Sequence, residues 1–417
     1  MKKVSVFCSL LLLLAGMVHG QEKVFLPEGI SYKWYKKALK TQPGAYQLKR
    51  YLPLLKGKRV AVFANQTTII GQTHLVDSLK TLGVNIVKIF GPEHGFRGTA
   101  DAGENVESYI DKATGIKVVS LYGAKSTPTA EDLADVDVTL FDLQDVGLRF
   151  FTYIGSLQHF LEGSIDNHKP VIVLDRPNPN GFYVDGPVLD TQYKSGVGTQ
   201  PIPVVHGMTM GEYANMLVNE HWLHTKKAYA PADVQLTVIK CKHYDHRYLY
   251  TLPVKPSPNL PTMSAIYWYA STCFFEGTNL SEGRGTEHPF TIFGHPDLPK
   301  NLFSFVPSSR LGAKSSKLYG ETCYGWDITN IKTPRRIDLH WLMQAYQLFP
   351  DKNKFFLLPK DTIKPENFFF NKLAGNATLM QQIKRNITED RIRASWQAGL
   401  AQFKQIRKKY LLYKDFE

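Results

Sequence analysis

The sequence predicts an α/β fold, a Rossmann-like parallel-sheet domain followed by a smaller α+β C-terminal domain. Three observations predict it. From Lys58 to about Glu220, short apolar runs rich in β-branched residues alternate with segments whose apolar residues recur at helical spacing, the pattern of repeated βα units. These runs are mainly apolar, as strands covered on both faces are. After about Thr225 the alternation stops and Pro-rich loops appear. Residues 21–224 and 225–417 therefore read as two domains, since about four hundred residues exceed what one core usually supports.

The elements follow in order. Arg59–Phe63 reads as a strand, with a helix from about His74 to Leu82. Val84–Phe90 is the second strand and Gly115–Ser120 the third. Thr129 is placed to cap a short helix with Asp132 in its first turn. Val136–Phe141 is the fourth strand, and Phe150, Ile154, Leu157 and Leu161 lie at helical spacing in a segment from Leu148. Val171–Leu174 is the fifth strand and Ile202–Val205 a sixth, before a helix over Met210–Asn219. In the second domain Leu236–Ile239 is strand-like, and Thr262 caps a helix running to Phe275 that is apolar on nearly every face and so buried. Ile392, Trp396, Leu400 and Phe403 mark a closing helix.

Residues 1–20 read as a signal peptide. Lys2 and Lys3 precede an apolar run from Cys8 to Ala15, too short for a stable bilayer anchor, and Val18-His19-Gly20 offers a cleavage site. No later run approaches membrane-spanning length, so a secreted or periplasmic protein without membrane insertion is expected. Cys241, Cys273 and Cys323 are odd in number and form no CxxC, which argues against a zinc site and a disulfide framework, while leaving one disulfide open. The formal charge is +13, of which Lys2 and Lys3 supply two, leaving +11. That excess favours acidic partners. The cations are scattered without a compact basic arm, which speaks against nucleic acid. Lys404, Arg407, Lys408 and Lys409 read as a solvated helix face, and anionic wall carbohydrate is the expected partner.

The first strand runs into Ala64-Asn65-Gln66-Thr67-Thr68 without the Gly-x-Gly-x-x-Gly fingerprint, so no nicotinamide cofactor is expected. The strand ends instead gather polar groups. Asn65 and Gln66 follow the first strand. Glu93, His94 and Arg97 lie on Gly91-Pro92-Glu93-His94-Gly95-Phe96-Arg97-Gly98, where Pro92 ends the ladder. Asp142, Gln144, Asp145 and Arg149 follow the fourth strand; Asp175, Arg176 and Asn178 follow the fifth; His206 follows the sixth. Ligands of open α/β sheets sit at this edge. Carboxylates and amides suit hydroxyl-rich ligands, and arginines suit a carboxylate. Each has a structural alternative: Asp145 as a helix N-cap, the Asp175 run as a turn with a local ion pair, His206 as a core histidine.

A second cluster follows the buried helix: Glu276, Asn279, Glu282, Arg284 and Glu287 on a glycine-rich segment from Phe275 to Phe290. Gly277 is explained as a helix C-cap, but three glutamates and an arginine on such a loop suit a site lining. Asn259 lies on the rigid loop Pro256–Pro261.

The Gly91–Gly98 loop, the Leu140–Gly147 run, the Asp175–Pro179 turn, the Pro256–Pro261 loop and the Phe275–Gly285 cluster together resemble the NamZ-type exo-β-N-acetylmuramidases of bacterial peptidoglycan recycling, over essentially the whole mature chain. The resemblance implies a Rossmann-like domain, a smaller C-terminal domain, a cleft between them, and release of N-acetylmuramic acid from the non-reducing end of wall fragments. Glycoside hydrolysis needs an acid for the leaving oxygen and usually a second carboxylate, unless the substrate's acetamido group assists. Glu93 is assigned as acid and Glu282 as partner, with Glu276 and Glu287 in reserve and Asp142 available to orient an acetamido group. A lactyl carboxylate calls for a cation, with Arg97, Arg149, Arg176 and Arg284 as candidates. The competing readings are a non-catalytic wall-sugar binding protein and a metal-dependent hydrolase using His94, His206 and His288. No HExxH-type cluster supports the latter, and no metal or cofactor is expected.

Overall fold

Residues 26–98, 107–360 and 362–417 are described by the computed structural model; the signal sequence read at 1–20 lies outside them. Eleven strands occupy the first half: β1 (Arg59–Ala64), β2 (Ile69–Ile70), β3 (Thr73–His74), β4 (Asn85–Gly91), β5 (Tyr109–Ile110), β6 (Lys117–Ser120), β7 (Val138–Asp142), β8 (Val171–Leu174), β9 (Asp185–Val188), β10 (Pro203–Val205) and β11 (Leu236–Ile239). Seven build one sheet in the order β11-β8-β7-β1-β4-β6-β5, parallel except for β5 at its edge. Taken in chain order, the six parallel strands lie 3-2-1-4-5-6, the doubly wound arrangement whose switch point flanks the first strand.

Alternation along the strands splits the apolar residues into two cores. Val60, Val62, Leu140, Ile172 and Leu174 face one layer with Tyr51, Leu75 and Leu79. Ala61, Phe63, Phe90, Phe141 and Val173 face the other. There Phe160, from the helix Tyr153–Asp166, packs its ring against Phe63, Phe141 and Phe90 at 5.2, 5.9 and 5.8 Å.

The capping predictions hold. Thr129 and Asp132 form a reciprocal capping box on the helix Ala130–Leu133, and Thr262 accepts from the Ala265 amide at the head of Met263–Thr272, which is buried almost throughout. Two strand expectations are corrected. The Ile202–Val205 segment does not join the main sheet; as β10 it pairs antiparallel with β9. The sixth parallel strand is β11, pairing with β8, so a segment assigned to the second domain completes the first sheet. The helix read from Leu148 begins only at Tyr153, because Leu148 is bridged to Val205 and Arg149 donates its amide to Val204.

The second half carries a three-stranded antiparallel sheet of β12 (Ile292–His295), β13 (Phe303–Phe305) and β14 (Cys323–Asp327), order β12-β14-β13, with short helices around it. Gly277 is not a left-handed C-cap. It closes a 3-10 turn over Cys273–Gly277, and a Cβ there would lie 2.5 Å from the Phe370 Cα, so bare backbone is needed for close packing. The closing helix is two, Glu389–Ser395 and Gln397–Lys408, broken at Trp396. Arg407 is not on a solvated face: it is 1% exposed, donates to the Gly207 carbonyl, and pairs with Asp415 at 2.7 Å. The three cysteines are buried free thiols, so the disulfide left open does not form among them.

Candidate active site

The carboxyl ends of β1, β4 and β7 meet at the switch point, and the loop after β4 rises from it. Pro92 and Gly95 close one turn and Gly95 and Gly98 the next, through carbonyl-to-amide bonds of 2.9 and 3.2 Å. His94 takes a left-handed φ of 68° within them, a conformation that costs energy outside glycine and that surrounding structure must enforce. Its ring Nε2 lies 3.2 Å from the Ser257 hydroxyl.

Glu93 is half-buried, and both its oxygens accept hydroxyl protons: Oε1 from Tyr122 at 2.9 Å, Oε2 from Thr152 at 2.8 Å. Burial, with the Glu93 carboxylate beside it, pushes the Tyr122 phenol well above its usual range, so Tyr122 stays a donor. Glu93, His94, Thr152, Tyr269, Arg284 and Phe290 line one small cavity. Through Ser257 and Asn259 it adjoins a wider cleft of about 550 Å³, whose rim carries Gln66, Lys255, Glu287 and Arg310. The two distant parts of the chain therefore meet at one opening.

Arg284, which lines the cavity with Glu93, is part of a charge network whose Glu276, Glu282 and Lys317 lie behind that lining. Arg284 pairs with Glu276 at 2.8 Å and Glu282 at 3.3 Å, and its guanidinium lies 5.0 Å from the Phe290 ring centre. Lys317 reaches Glu282 at 2.7 Å while donating to the Phe275 and Thr278 carbonyls. Burial works to raise both carboxyls. At Glu276 it prevails and the group lies above the usual range. At Glu282, Lys317 and Arg284 outweigh it, so that carboxylate is held ionised below the usual range.

Many of the remaining expected contact residues lie behind this surface. Asn65 donates to the Tyr153 hydroxyl and accepts from Thr67. Asp142 is fully buried in a bidentate pair with Arg176 at 2.5 and 2.8 Å. Gln144 donates to the Asp145 and Pro177 carbonyls. Asn178 bonds the Met208 carbonyl and the Asn180 amide. Asp175 accepts from Thr209, Gly211 and Tyr413. Arg149 clamps the Pro187, Ile202 and Leu373 carbonyls from a buried position, where loss of solvent lowers its pKa to about 9. Asn279 is tied to the Lys354 carbonyl. Arg97 is held by Asp111 at 2.8 Å. These side chains are engaged within the protein and none of them lines the Glu93 cavity, although Gln144 Oε1 and Arg149 Nε keep no partner and Arg97 is partly exposed. Among the four candidate arginines, Arg284 lines the Glu93 cavity. Glu287 is a rim residue, 71% exposed and 3.5 Å from Arg310.

Asp145 is no helix N-cap. It accepts from the Gly147 amide at 2.5 Å in a turn, and burial raises its carboxyl to about 7. His206, 3.9 Å away, accepts the Met208 amide on Nδ1, and burial lowers it to about 3. Both are buried core groups, the imidazole uncharged and the carboxyl keeping its proton up to about pH 7. No three His, Cys, Asp or Glu side chains gather as a metal-ligand set among the described residues.

Sequence reasoning missed Tyr122, Thr152, Tyr269, Phe290 and Lys317. Tyr122 had a signal, since it stands two residues past β6 on the same carboxyl edge. Lys317 had none.

Comparison with known proteins gives the arrangement its relatives. Residues 60–264 match the family model described as exo-beta-N-acetylmuramidase NamZ, N-terminal, and residues 267–413 its C-terminal counterpart. The peptidoglycan beta-N-acetylmuramidase NamZ of Bacillus subtilis (strain 168) is 38% identical over 387 residues, covering 87% of this chain and 89% of that protein. Two crystal structures of DUF1343 family proteins from Bacteroides fragilis NCTC 9343 share the fold, each alignment covering 90% of this chain and 99% of the other. One has a TM-score of 0.79 at 41% identity, the second 0.73 at 28%. With both halves matched in order and the carboxylate loop seated at the sheet's switch point, the chain belongs to the exo-β-N-acetylmuramidase NamZ family.

Proposed function

We propose that this chain is an exported exo-acting glycoside hydrolase that releases N-acetylmuramic acid from the non-reducing end of peptidoglycan fragments such as a MurNAc-GlcNAc disaccharide. Family membership supports the substrate class. The observation that carries the chemistry is Glu93: a half-buried carboxyl between two hydroxyl donors, facing a cavity that also presents Arg284.

Glu93 is the general acid that protonates the leaving glycosidic oxygen. Tyr122 and Thr152 fix its rotamer, which matters because proton transfer needs the acid within hydrogen-bond reach of that oxygen. Glu282, held ionised by Lys317 and Arg284, is the partner carboxylate of the reaction. Arg284 is the cation for the lactyl carboxylate, and Tyr269 and Phe290 wall the ring. The wider cleft receives the rest of the fragment. The basic–apolar segment at 1–20 supports export to the periplasm or the medium.

The test is incubation of the purified chain with MurNAc-GlcNAc, following free N-acetylmuramic acid by mass spectrometry. Release by wild type, and a loss on the order of a hundredfold or more in Glu93→Gln, is expected. Disaccharide bound but left intact by wild type would make this a wall-sugar binding protein instead.

A further inference from the structure

Away from the cleft, the chain between Glu28 and Asp77 carries nine Lys and Arg residues and no Asp or Glu. Four of the nine, Lys33, Lys36, Lys37 and Lys40, fall on or just after the helix Tyr32–Ala38, and all four are exposed. Their spacing of i, i+3, i+4 and i+7 gathers them on one face. Like charges at that spacing destabilise a helix, so the stripe works against local folding. None of the four ammonium groups has a carboxylate partner among the described residues.

This lysine face forms one wall of a groove of about 730 Å³ whose other wall is the segment His243–Tyr248. The walls are fixed to each other. Gln42 and Lys242 exchange two backbone hydrogen bonds, and the Thr41 hydroxyl donates to the His243 carbonyl at 2.9 Å. Aromatic rings interleave with the cations. Trp34 stacks on Tyr248 at 5.7 Å, Lys37 lies 4.9 Å over Trp34, and Lys36 lies 5.3 Å over Tyr32, which is half exposed. The acid on the far wall, Asp245, is neutralised by a bidentate pair with Arg247, itself stacked 4.4 Å over Trp34. The groove is thus a rigid, cationic, ring-bearing concavity.

Its position matters. The far wall follows the carboxyl end of β11, and Glu93 follows the carboxyl end of β4. Both lie on the same edge of one sheet, four strand positions apart, which at about 4.8 Å per strand is roughly 19 Å.

We propose that this groove is a second binding site, for a carboxylate-bearing glycan strand. Exposed ammonium groups with no carboxylate partner take the carboxylates, and the half-exposed Tyr32 ring takes the apolar flank of a sugar ring. The role rests on the proposed hydrolase activity. An exo-acting cleft grips only a terminal residue, so a polymer site on the same edge raises the effective concentration of chain ends. Lysines and aromatics also suit a membrane surface, but an interfacial helix segregates charge from apolar rings, whereas here the Tyr32 and Trp34 rings of the helix carry lysines over them.

The test is co-sedimentation of the full chain with purified, peptide-bearing peptidoglycan sacculi, beside vesicles containing phosphatidylglycerol. Wild type should pellet with sacculi, and less so as salt rises. A Lys33→Gln/Lys36→Gln/Lys37→Gln/Lys40→Gln variant should lose about fivefold or more of that retention while cleaving MurNAc-GlcNAc at the wild-type rate, which also shows that it folds. Unchanged retention of the variant overturns the site, as does wild-type pelleting with vesicles in preference to sacculi. Lysine-dependent retention in a protein that leaves the disaccharide intact supports the groove and removes the hydrolase reading alone.

Discussion

At the scale of single residues, two acidic groups at the same carboxyl edge of the sheet have opposite fates. Glu93 stays half-buried and accepts two hydroxyl protons, while Asp145 is buried beside an uncharged His206. Desolvation raises Asp145 to about 7, so the native state keeps a proton that the unfolded chain releases near its ordinary value of 3.8. Below that value both states are protonated and the group has no effect. Between about 4 and 7 stability falls as pH rises, and above 7 the effect levels off. Asp175, raised by burial to about 6, adds to the same fall. Asp145→Asn is therefore expected to shallow, without abolishing, the decline in unfolding free energy between about pH 4 and 7, read by urea titration at several pH values. A profile identical to wild type would show that Asp145 is ionised in the fold.

At the scale of elements, the buried helix Met263–Thr272 and its 3-10 extension aim Glu276 at Arg284, and their end is set by contact rather than by a cap. Gly277 meets the Phe370 backbone of the helix Phe369–Ala374. Gly277→Ala places a methyl group against the Phe370 Cα and amide nitrogen at 2.5 and 2.7 Å, neither of which can rotate away. A loss of roughly 2 kcal/mol or more is expected, within the range for overpacking, seen as a lower melting temperature. A melting point equal to wild type would mean that the two helices slide apart freely. The same elements explain what was legible locally. Strand and helix existence followed from periodicity, and the Thr129 and Thr262 caps from side chains that compete for amide protons.

At the scale of the whole molecule, the last residues sew the second half onto the first sheet. Tyr413 donates to Asp175, the Leu412 amide donates to Glu212, and Arg407 joins the Gly207 carbonyl to Asp415. Asp175 and Glu212 are both buried. Deleting residues 410–417 would leave these carboxylates short of donors and the buried Arg407 without Asp415, the last worth about 3–5 kcal/mol for a broken buried pair. The truncated chain is expected to unfold at markedly lower urea, with loss of both halves in one transition. An unchanged midpoint would show that the tail is ornamental to stability.

What could be read without coordinates follows from where the information lies. The parallel α/β class, the loop bearing Glu93 and the Glu276–Arg284 cluster are written in short stretches, because period, turn residues and charge are local properties. The division of labour among polar side chains is not. Asn65, Asp142, Arg149, Asp175 and Arg176 looked like ligand contacts because each stands at a strand end, yet each satisfies partners far away in the chain, such as Leu373 for Arg149 and Tyr413 for Asp175. The switch of β11 into the first sheet and the burial of Arg407 were hidden for the same reason. Sequence alone determined the alternating strands and helices of the first domain and which chemical groups reach the sheet's carboxyl edge. Only tertiary packing decided which of those groups keep a free face toward a ligand, because burial and hydrogen-bond satisfaction are settled by neighbours the local sequence does not contain.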